Sequence, residues 1–188
     1  MADWPLLSFM LLAYPAGALV LWLLPFIAPR TLAVIMHGLG LLLSVLVLSG
    51  FDPAQTGFQF VERTAWIPSL NVDYAVGVDG ISVLFLPATA LLFLGVTLAS
   101  WSNIRNLPRL YHGLLLLQAG ATLGVFCAVD TMLFFLFWEL SLVPFYFLVS
   151  LWGSGPHRVY AATKYTLIMF AGGVPLLFGF LILAFNYA

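Results

Sequence analysis

The apolar segment from Thr131 to Leu151 is the feature that most restricts how this chain can fold. Its length of about 21 residues corresponds to about 31 Å of helix, enough to cross the hydrocarbon core of a bilayer. Glu139 lies near the middle and is the only charged residue in the segment. A carboxylate at that depth is costly unless it is neutral, paired or hydrated, so Glu139 marks a candidate functional site. A protonated Glu139 that only hydrogen-bonds a neighbouring helix is the alternative interpretation.

The composition indicates that nearly all of the chain is membrane-embedded. Hydrophobic residues make up 63% of it, charged residues only 7%, and the mean hydropathy is +1.11. Soluble domains carry about a quarter charged residues. No soluble domain is therefore expected, and redox or nucleotide chemistry would lie on partner subunits. The net charge of −1 argues against nucleic-acid binding.

The cysteine content and the N-terminus point the same way. Cys127 is the only cysteine, so it cannot form an intrachain disulfide, and it lacks the clustered ligands of a zinc or iron–sulfur site. We therefore expect no metal and no cofactor in this chain. The N-terminal sequence MADWPLL lacks the basic region of a cleaved signal peptide, so the first apolar segment is expected to be retained as a span.

Apolar runs separated by polar breaks predict an all-α integral membrane protein with about six transmembrane helices. The predicted helices cover Pro5 to Ile27, Thr31 to Leu48, Gly80 to Trp101, Leu110 to Val129, Thr131 to Leu151, and Val159 to Phe185. The chain is thus interpreted as a single membrane domain, with helices 1 and 2 in residues 1–49, an outer-face segment in residues 50–79, and helices 3 to 6 in residues 80–188.

The charged residues separate onto two sides of this topology. The basic breaks contain Arg30, Arg105, Arg109, Arg158 and Lys164. The opposite side contains Asp3, Asp52, Glu62, Asp73, Asp79 and Asp130, with Arg63 as its only base. The positive-inside rule places the basic side in the cytoplasm and both termini outside. Tryptophans near the inner helix ends fit an interfacial belt, namely Trp22, Trp101 and Trp152, whereas Trp138 lies at mid-depth beside Glu139.

The segment between helices 2 and 3 is too polar to cross the membrane. Phe58 to Glu62 and Asp73 to Val78 alternate with a period of about two, which predicts two short strands or a hairpin on the outer face. Asp79 then precedes the third helix. We interpret its carboxylate as an N-cap that accepts from free backbone N–H groups, in preference to a transport role.

Three residues could assist Glu139 in proton transfer. Pro144 lacks an N–H and leaves the carbonyl of Leu140 free, which can kink the helix and admit water. Lys164, the only lysine, could link to Glu139 through water, or it could extend to the inner interface. His112, near the inner start of the fourth helix, is a candidate entry group for protons, although a surface or hydrogen-bonded role is the alternative.

Small residues interrupt two of the predicted helices. Gly120 and Gly124 form a small-xxx-small pair that allows close helix contact. Gly172, Gly173 and Pro175 predict a local break in the sixth helix, and breaks at membrane depth often line cavities.

Two segments together resemble a known family. AVDTMLFFLFWELSLVPFYFLVSLWG (Ala128 to Gly153) and RVYAATKYTL (Arg158 to Leu167) resemble the antiporter-like membrane subunits of respiratory complex I, also called NDH-1. Within that family they are most like the M subunit of bacteria, which corresponds to subunit 4 of mitochondria and to the D subunit of cyanobacteria. Trp66 to Ser82 resembles the segment leading into the family's third helix. The resemblance covers roughly Phe58 to the end of the chain, and the first two helices add little.

The resemblance implies a proton-pumping subunit without a redox centre of its own. Other subunits, carrying NADH, FMN, iron–sulfur clusters and quinone, would pass the electrons. The fifth-helix glutamate of the family matches Glu139 and is assigned to the proton path, together with a lysine on a seventh helix. The sixth-helix lysine matches Lys164, and an outer-face hairpin matches Phe58 to Val78. Expected partners are other membrane-arm subunits, including neighbouring antiporter-like subunits, and the lipid bilayer.

The resemblance also implies a longer protein. Family members have about fourteen helices built on two inverted repeats, and helices 4 to 6 resemble the start of the first repeat. The chain would therefore be the N-terminal six-helix part of such a subunit, either as a fragment or as a split subunit. We expect the isolated chain not to pump protons. Proton flux through the isolated chain in liposomes that disappears in Glu139→Gln would contradict this expectation.

Two other functions remain open at this stage. One is a subunit of a multi-chain sodium/proton antiporter or of a membrane-bound hydrogenase, which would share the helix that bears Glu139. The other is a structural membrane subunit without transport. A bacterial inner membrane is the expected location, with a thylakoid or an organelle inner membrane as the alternatives.

Overall fold

Six long helices account for most of the structure, a computed structural model that describes residues 5–68 and 72–187, with side chains up to residue 183. Each helix is long and apolar enough to cross a membrane, which confirms the predicted six-helix membrane fold. The helices are α1 (Leu6–Leu23), α2 (Pro29–Gly50), α3 (Ser82–Ala99), α4 (Pro108–Cys127), α5 (Thr131–Trp152) and α6 (Arg158–Tyr187).

Local sequence signals set the helix boundaries. Pro29 and Pro108 occupy the first turns of α2 and α4, where the missing N–H of proline costs nothing because that position lacks a helical partner. Asp130 caps α5, since its Oδ1 accepts from the backbone N–H of Met132 at 2.8 Å and of Leu133 at 3.0 Å. Gly155 takes a positive φ of 95° in the turn that ends the connection to α6.

Helix α4 lies at the centre of the bundle. It packs against α1, α2, α3 and α5, and most of its length is buried. Gly120 lets it approach α1, where an added Cβ would lie 3.0 Å from the Cβ of Tyr14. Gly124 lies against the ring of Phe137 on α5, whose Cγ would be 2.5 Å from an added Cβ. These contacts confirm the close packing predicted from the two glycines.

Helix α6 lies at the edge and packs mainly against α5 among the described helices. Ala162 and Gly173 are its two buried residues among those whose side chains are described. They are eleven residues apart, about three turns, and so share one face. The helix is continuous through Pro175, so the predicted break at Gly172, Gly173 and Pro175 is wrong. A membrane helix can accommodate a proline when small local changes in the backbone give the carbonyl that loses its hydrogen bond another partner.

Two antiparallel strands lie between α2 and α3. Strand β1 (Gln59–Ile67) pairs with β2 (Val72–Val78), and Arg63 faces Ala75 in the register. The predicted strand pair is present, but β1 extends further than the predicted end at Glu62. The link at residues 69–71 lies outside the described residues. Placement of the pair on the outer face of the membrane stays a prediction.

The strand pair is joined to the bundle by its polar groups. Glu62 on β1 accepts from the backbone N–H of Leu7 at 2.7 Å and of Ser8 at 2.9 Å, which caps the start of α1. The Ser8 and Tyr74 hydroxyls are 2.8 Å apart. On the other side, the backbone N–H of Val129 donates to the carbonyl of Ala75 at 2.9 Å. The strands therefore contact the starts of both α1 and α5.

The opposite end of the bundle carries arginines, and we call it the basic end. Arg30 donates to the carbonyl of Ile104 at 3.0 Å. Arg109 donates to the carbonyls of Leu24, at 3.0 Å, and of Pro25. Arg109 also donates at 3.2 Å to the carbonyl of Leu21 in the last turn of α1, where carbonyls lack a helical partner. The predicted separation of charges is thus present among the described residues, while the side that faces the cytoplasm stays a prediction; Asp3 lies outside them.

Asp79 stabilises the turn that leads into α3. Its Oδ1 accepts from the backbone N–H of Ser82 at 2.6 Å and of Ile81 at 3.1 Å, while Ser82 Oγ accepts from the Asp79 N–H at 2.9 Å. The bond from the Ser82 N–H lowers the pKa of Asp79 below its usual range. The carboxylate form therefore stabilises the folded turn.

We expect the start of α3 to loosen in acid. Asp79 contributes fully above the ordinary aspartate pKa of about 3.9, and the contribution is lost as the pH falls through its lower folded value. Amide hydrogen exchange at Ile81 and Ser82, corrected for the intrinsic rate, should rise over that range. Asp79→Asn keeps a capping oxygen without a titrating group, so its corrected exchange should stay flat. Equal acid sensitivity in both proteins would contradict the assignment.

Candidate functional site

Glu139 lies about half-way along α5, as predicted. The capped start of the helix at Asp130 is nine residues away, or about 13 Å along the axis. Trp152 ends the helix thirteen residues later, so neither end brings an exposed backbone group to the carboxyl group. The register of α5, fixed by the Asp130 cap, therefore holds this acid at mid-depth.

The carboxyl group of Glu139 points towards α6 and meets Gly173. Its Oε1 is buried and has no hydrogen-bond partner among the described residues. A Cβ added to Gly173 would overlap with Oε1 and lie 3.1 Å from Cδ. The absence of a side chain at Gly173 thus provides the space that the carboxyl group occupies. A buried polar atom without a partner costs about 1–3 kcal/mol. A proton, a water molecule or another ligand that hydrogen-bonds Oε1 would remove this cost.

A groove of about 530 Å³ opens beside Glu139 between α5 and α6. Its walls are mostly apolar, and its lining comprises Glu139, Leu142, Val143, Tyr146, Phe147, Thr166 and Phe170. Thr166 Oγ1 is a second buried polar atom without a described partner. Thr166 and Gly173 are seven residues apart, about two turns, and therefore lie on the same face of α6. The groove thus combines an acid and a hydroxyl in otherwise apolar surroundings, and the seven residues from Thr166 to Gly173 correspond to about 10 Å along α6, so more than one water would be needed to join the two groups.

Trp138 and Pro144 shape the helix around the acid without touching its unpaired oxygen in any described contact. The Trp138 ring stacks near Phe134, with 6.2 Å between ring centroids. Its carbonyl accepts from Ser141 Oγ at 2.7 Å. Pro144 is buried inside the continuous helix, and it cannot donate to the Leu140 carbonyl because it has no N–H. One backbone acceptor is therefore left free within a turn of Glu139.

Lys164 does not lie beside Glu139. It is exposed on α6, and its Nζ lies 5.9 Å from the centroid of the Tyr160 ring. Nine residues separate it from Gly173, which is two and a half turns at 3.6 residues per turn. Lys164 therefore projects from the face of α6 opposite the one that contacts Glu139. The six helices therefore do not place Lys164 beside the Glu139 groove, and the alternative, that it extends to the inner interface, stays a prediction.

His112 is also separate from the Glu139 groove. It is fully buried in the first turns of α4, with its ring edge-to-face against Tyr111 at 5.2 Å. No hydrogen bond or ion pair joins it to Glu139 among the described residues. The next residue, Gly113, lies against the Trp22 ring of α1, and α4 also packs against α2. The structure thus places His112 in a different part of the bundle from Glu139.

Sequence analysis missed the contact of Gly173 with the carboxyl group and the place of Thr166 in the groove. Gly173 was expected to break α6, whereas it contacts the carboxyl group from a continuous helix. A shared face of Ala162, Thr166 and Gly173, with small or polar residues at spacings of four and seven, was the available signal. To use this signal, one must know which face of α6 packs against α5. The sequence of an almost uniformly apolar helix does not show that face.

Comparison with known proteins identifies the family. The family described as "NADH:quinone oxidoreductase/Mrp antiporter, TM" matches residues 128–188, which include α5 and α6. A curated relative from Picosynechococcus sp., "NAD(P)H-quinone oxidoreductase chain 4 1", is 40% identical over 179 residues. That match covers 93% of this chain and 33% of the relative. The chain is a homologue of the antiporter-like membrane subunits of complex I. The predicted resemblance is confirmed, and it extends further into α1 and α2 than predicted.

Solved structures agree with this homology. A chain of "Respiratory complex I from Thermus thermophilus with bound NADH" superimposes with a TM-score of 0.78 at 28% identity, covering 91% of this chain and 34% of that one. A chain of an archaeal respiratory membrane complex, the membrane-bound sulfane sulfur reductase, shares the fold with a TM-score of 0.75 at 19% identity, covering 94% of this chain and 27% of that one. The chain spans between a quarter and about a third of the length of the curated relatives it matches.

The contact between Gly173 and Glu139 can be tested with adjacent glycines. Gly173→Ala should displace the carboxyl group or push α6 from α5, and overpacking of this kind costs about 1–3 kcal/mol. Gly172→Ala is the matched control, because an added Cβ there has no neighbour within 4 Å. We expect Gly173→Ala alone to lower the thermal stability of the purified protein. Equal melting temperatures for the two variants would contradict the described contact.

Proposed function

We propose that this chain is part of a proton-translocating membrane-arm subunit of an NADH:quinone oxidoreductase and that Glu139 carries the transported proton. The observation that supports this most directly is the unpaired Oε1 of Glu139, held at mid-depth against Gly173 and open to a groove. A purely structural acid would be expected to have a hydrogen-bond partner. The homology to complex I subunits supports the same assignment.

The proposed mechanism needs a cation that approaches and leaves the acid. A nearby positive charge favours the ionised carboxylate and releases a proton, and its withdrawal favours the neutral acid. Lys164 does not meet this need from the opposite face of α6. The cation would therefore come from a helix that packs over the groove, in line with the seventh-helix lysine that the resemblance implies. Lys164, on the far face, would then serve a different contact or extend to the basic end.

Water would complete the path between Glu139 and the membrane surfaces. Thr166 Oγ1 and the Glu139 carboxyl group provide acceptors and one hydroxyl donor along the groove. A chain of waters along such groups can pass a proton without a large movement of the protein. The apolar walls of the groove disfavour other ions, because a hydrated ion would lose its water there.

Electron transfer is assigned to partner subunits in this proposal. The chain holds one cysteine and, among the described residues, no group of three His, Cys, Asp or Glu that could hold a metal. We accordingly place NADH, FMN, the iron–sulfur clusters and quinone on partner subunits of the complex. The protein is a multi-pass membrane protein, and we propose a bacterial inner membrane with the basic end in the cytoplasm.

A cation/proton antiporter subunit is the second candidate function. The matching family's description includes the Mrp antiporter, and another membrane complex shares the fold. The α5–α6 groove suits either function, because both need a carboxyl group that changes its protonation. Purification of the intact assembly separates them: flavin and iron–sulfur subunits would accompany the chain only in the oxidoreductase, and sodium-dependent proton exchange without NADH would indicate the antiporter.

The proposed role of Glu139 predicts a specific loss. In sealed membrane vesicles supplied with NADH, Glu139→Gln in the otherwise intact complex should abolish or strongly reduce proton pumping, since glutamine has a similar shape but cannot release a proton. Glu139→Asp should retain part of the pumping, because a carboxyl group remains. Subunit composition should match the wild type in both variants. Full pumping by an assembled Glu139→Gln complex would reduce Glu139 to a hydrogen-bonding residue and leave the chain a scaffold.

A further inference from the structure

A second set of unpaired polar atoms lies away from Glu139, within α1, α2 and α4. It comprises Tyr14 Oη, His37 Nε2 and both ring nitrogens of His112. His37 and His112 have no exposed surface, and Tyr14 has 1%. Because buried donors and acceptors almost always find partners, several orphaned atoms in one region point to a ligand that forms hydrogen bonds.

The ring of His37 is held in one orientation. Its Nδ1 lies 2.7 Å from the carbonyl oxygen of Ala33, and a carbonyl can only accept, so Nδ1 carries the hydrogen. Thr97 Oγ1 lies 3.3 Å from the same nitrogen and donates to the Phe93 carbonyl at 2.8 Å. In the neutral ring, Nε2 is therefore an acceptor that requires a donor from somewhere else.

The hydroxyl of Tyr14 ends close to this ring. The Tyr14 and His37 rings meet edge-to-face with 5.6 Å between centroids. The tip of Tyr14 occupies the space beside Gly40, where an added Cβ would lie 2.7 Å from Cζ. Gly40 follows His37 by three residues on α2. The phenol of Tyr14, which belongs to α1, therefore lies about one turn beyond His37 along α2. A donor and an acceptor are thus both left unpaired near the middle of the bundle.

His112 continues the polar region towards the basic end. It lies four residues after the start of α4, whereas His37 lies eight residues after the start of α2, and the two helices pack against each other. Arg30 precedes His37 by seven residues, about two turns or 10 Å of helix, so the two lie on one face of α2. Arg30 itself lies at the basic end, where it donates to the carbonyl of Ile104. The polar groups therefore follow one another from the basic end inward.

We propose that Tyr14, His37 and His112 line a column of buried water that enters the bundle from its basic end. Water supplies both donors and acceptors, and a buried water typically makes about three hydrogen bonds to polar groups that lack other partners. No backbone group provides them in the structure, where none of these four atoms has a hydrogen-bond partner. A metal ion does not suit the site, since the described residues include no group of three His, Cys, Asp or Glu.

This column differs from the Glu139 groove in its position and its chemistry. The groove lies between α5 and α6, whereas the column lies among helices α1 to α4. Its two imidazoles and its phenol can each both donate and accept a proton in some protonation state. Water in the column does not depend on proton pumping by Glu139, so a failure of either proposal leaves the other in place.

The direct test is a map of the intact complex, recorded by electron microscopy at a resolution that shows ordered water. We expect water density within hydrogen-bond distance of His37 Nε2 and Tyr14 Oη. Tyr14→Phe removes only the hydroxyl and should cause loss of the density beside it. Tyr165→Phe, on the exposed side of α6, is the matched control and should leave that density unchanged.

Exchange of the imidazole C2 hydrogen provides an independent measurement that needs no variant. Each histidine exchanges this hydrogen with heavy water only if water reaches its ring, and mass spectrometry resolves the three histidines. Exposed His157 is the internal reference. We expect measurable exchange at His37 and His112, slower than at His157. A dry region between the side chains in the map, a protein group bonded to His37 Nε2, or full protection of both buried histidines would overturn the proposal.

Discussion

The absence of water in the hydrocarbon core is the constraint on which the whole structure depends. A backbone group without a partner there costs several kcal/mol, so the chain crosses only as helices, and every helix end must find acceptors or donors at the membrane surface. Glu62, Asp79 and Asp130 provide them at one end. Arg109 provides one at the other, for the carbonyl of Leu21 in the last turn of α1. Charged side chains thus complete helices at both ends of the bundle.

Against this background, unpaired polar atoms are informative because they are rare. Those on described side chains fall into a group around α5 and α6, with Glu139 and Thr166, and others within α1 to α4. Both groups lie where a glycine, Gly173 or Gly40, makes room for a polar tip. Helix packing alone does not need such space beside a carboxyl group or a phenol. Small residues in this protein therefore make room for polar side chains, in addition to allowing close contact between helices.

The sequence was sufficient to predict the six helices and the position of Glu139 within its helix. It was not sufficient to predict which residues surround Glu139. Helix number followed from apolar length, and the ends from prolines and charges, because these signals are local. Lys164 was considered as a water-linked partner for Glu139, with extension to the inner interface as the alternative. Rotation about the α6 axis separates them, and a helix that is apolar on nearly all sides gives no periodic signal for that rotation. Gly173 was likewise assigned to a helix break, because the sequence does not show which neighbouring side chain a glycine contacts. Only the packing of the helices shows this.

The strand pair joins parts of the bundle that are far apart in the sequence. Glu62 holds the start of α1, and the Ala75 carbonyl holds Val129 immediately before α5. Two paired strands are stiff along their length, so the pair acts as a brace between these two helix ends. A change in the tilt of the helix that carries Glu139 would therefore be transmitted through the strand pair to α1, on the far side of α4. The brace thus couples the position of the acid to a helix that is distant from it in the sequence.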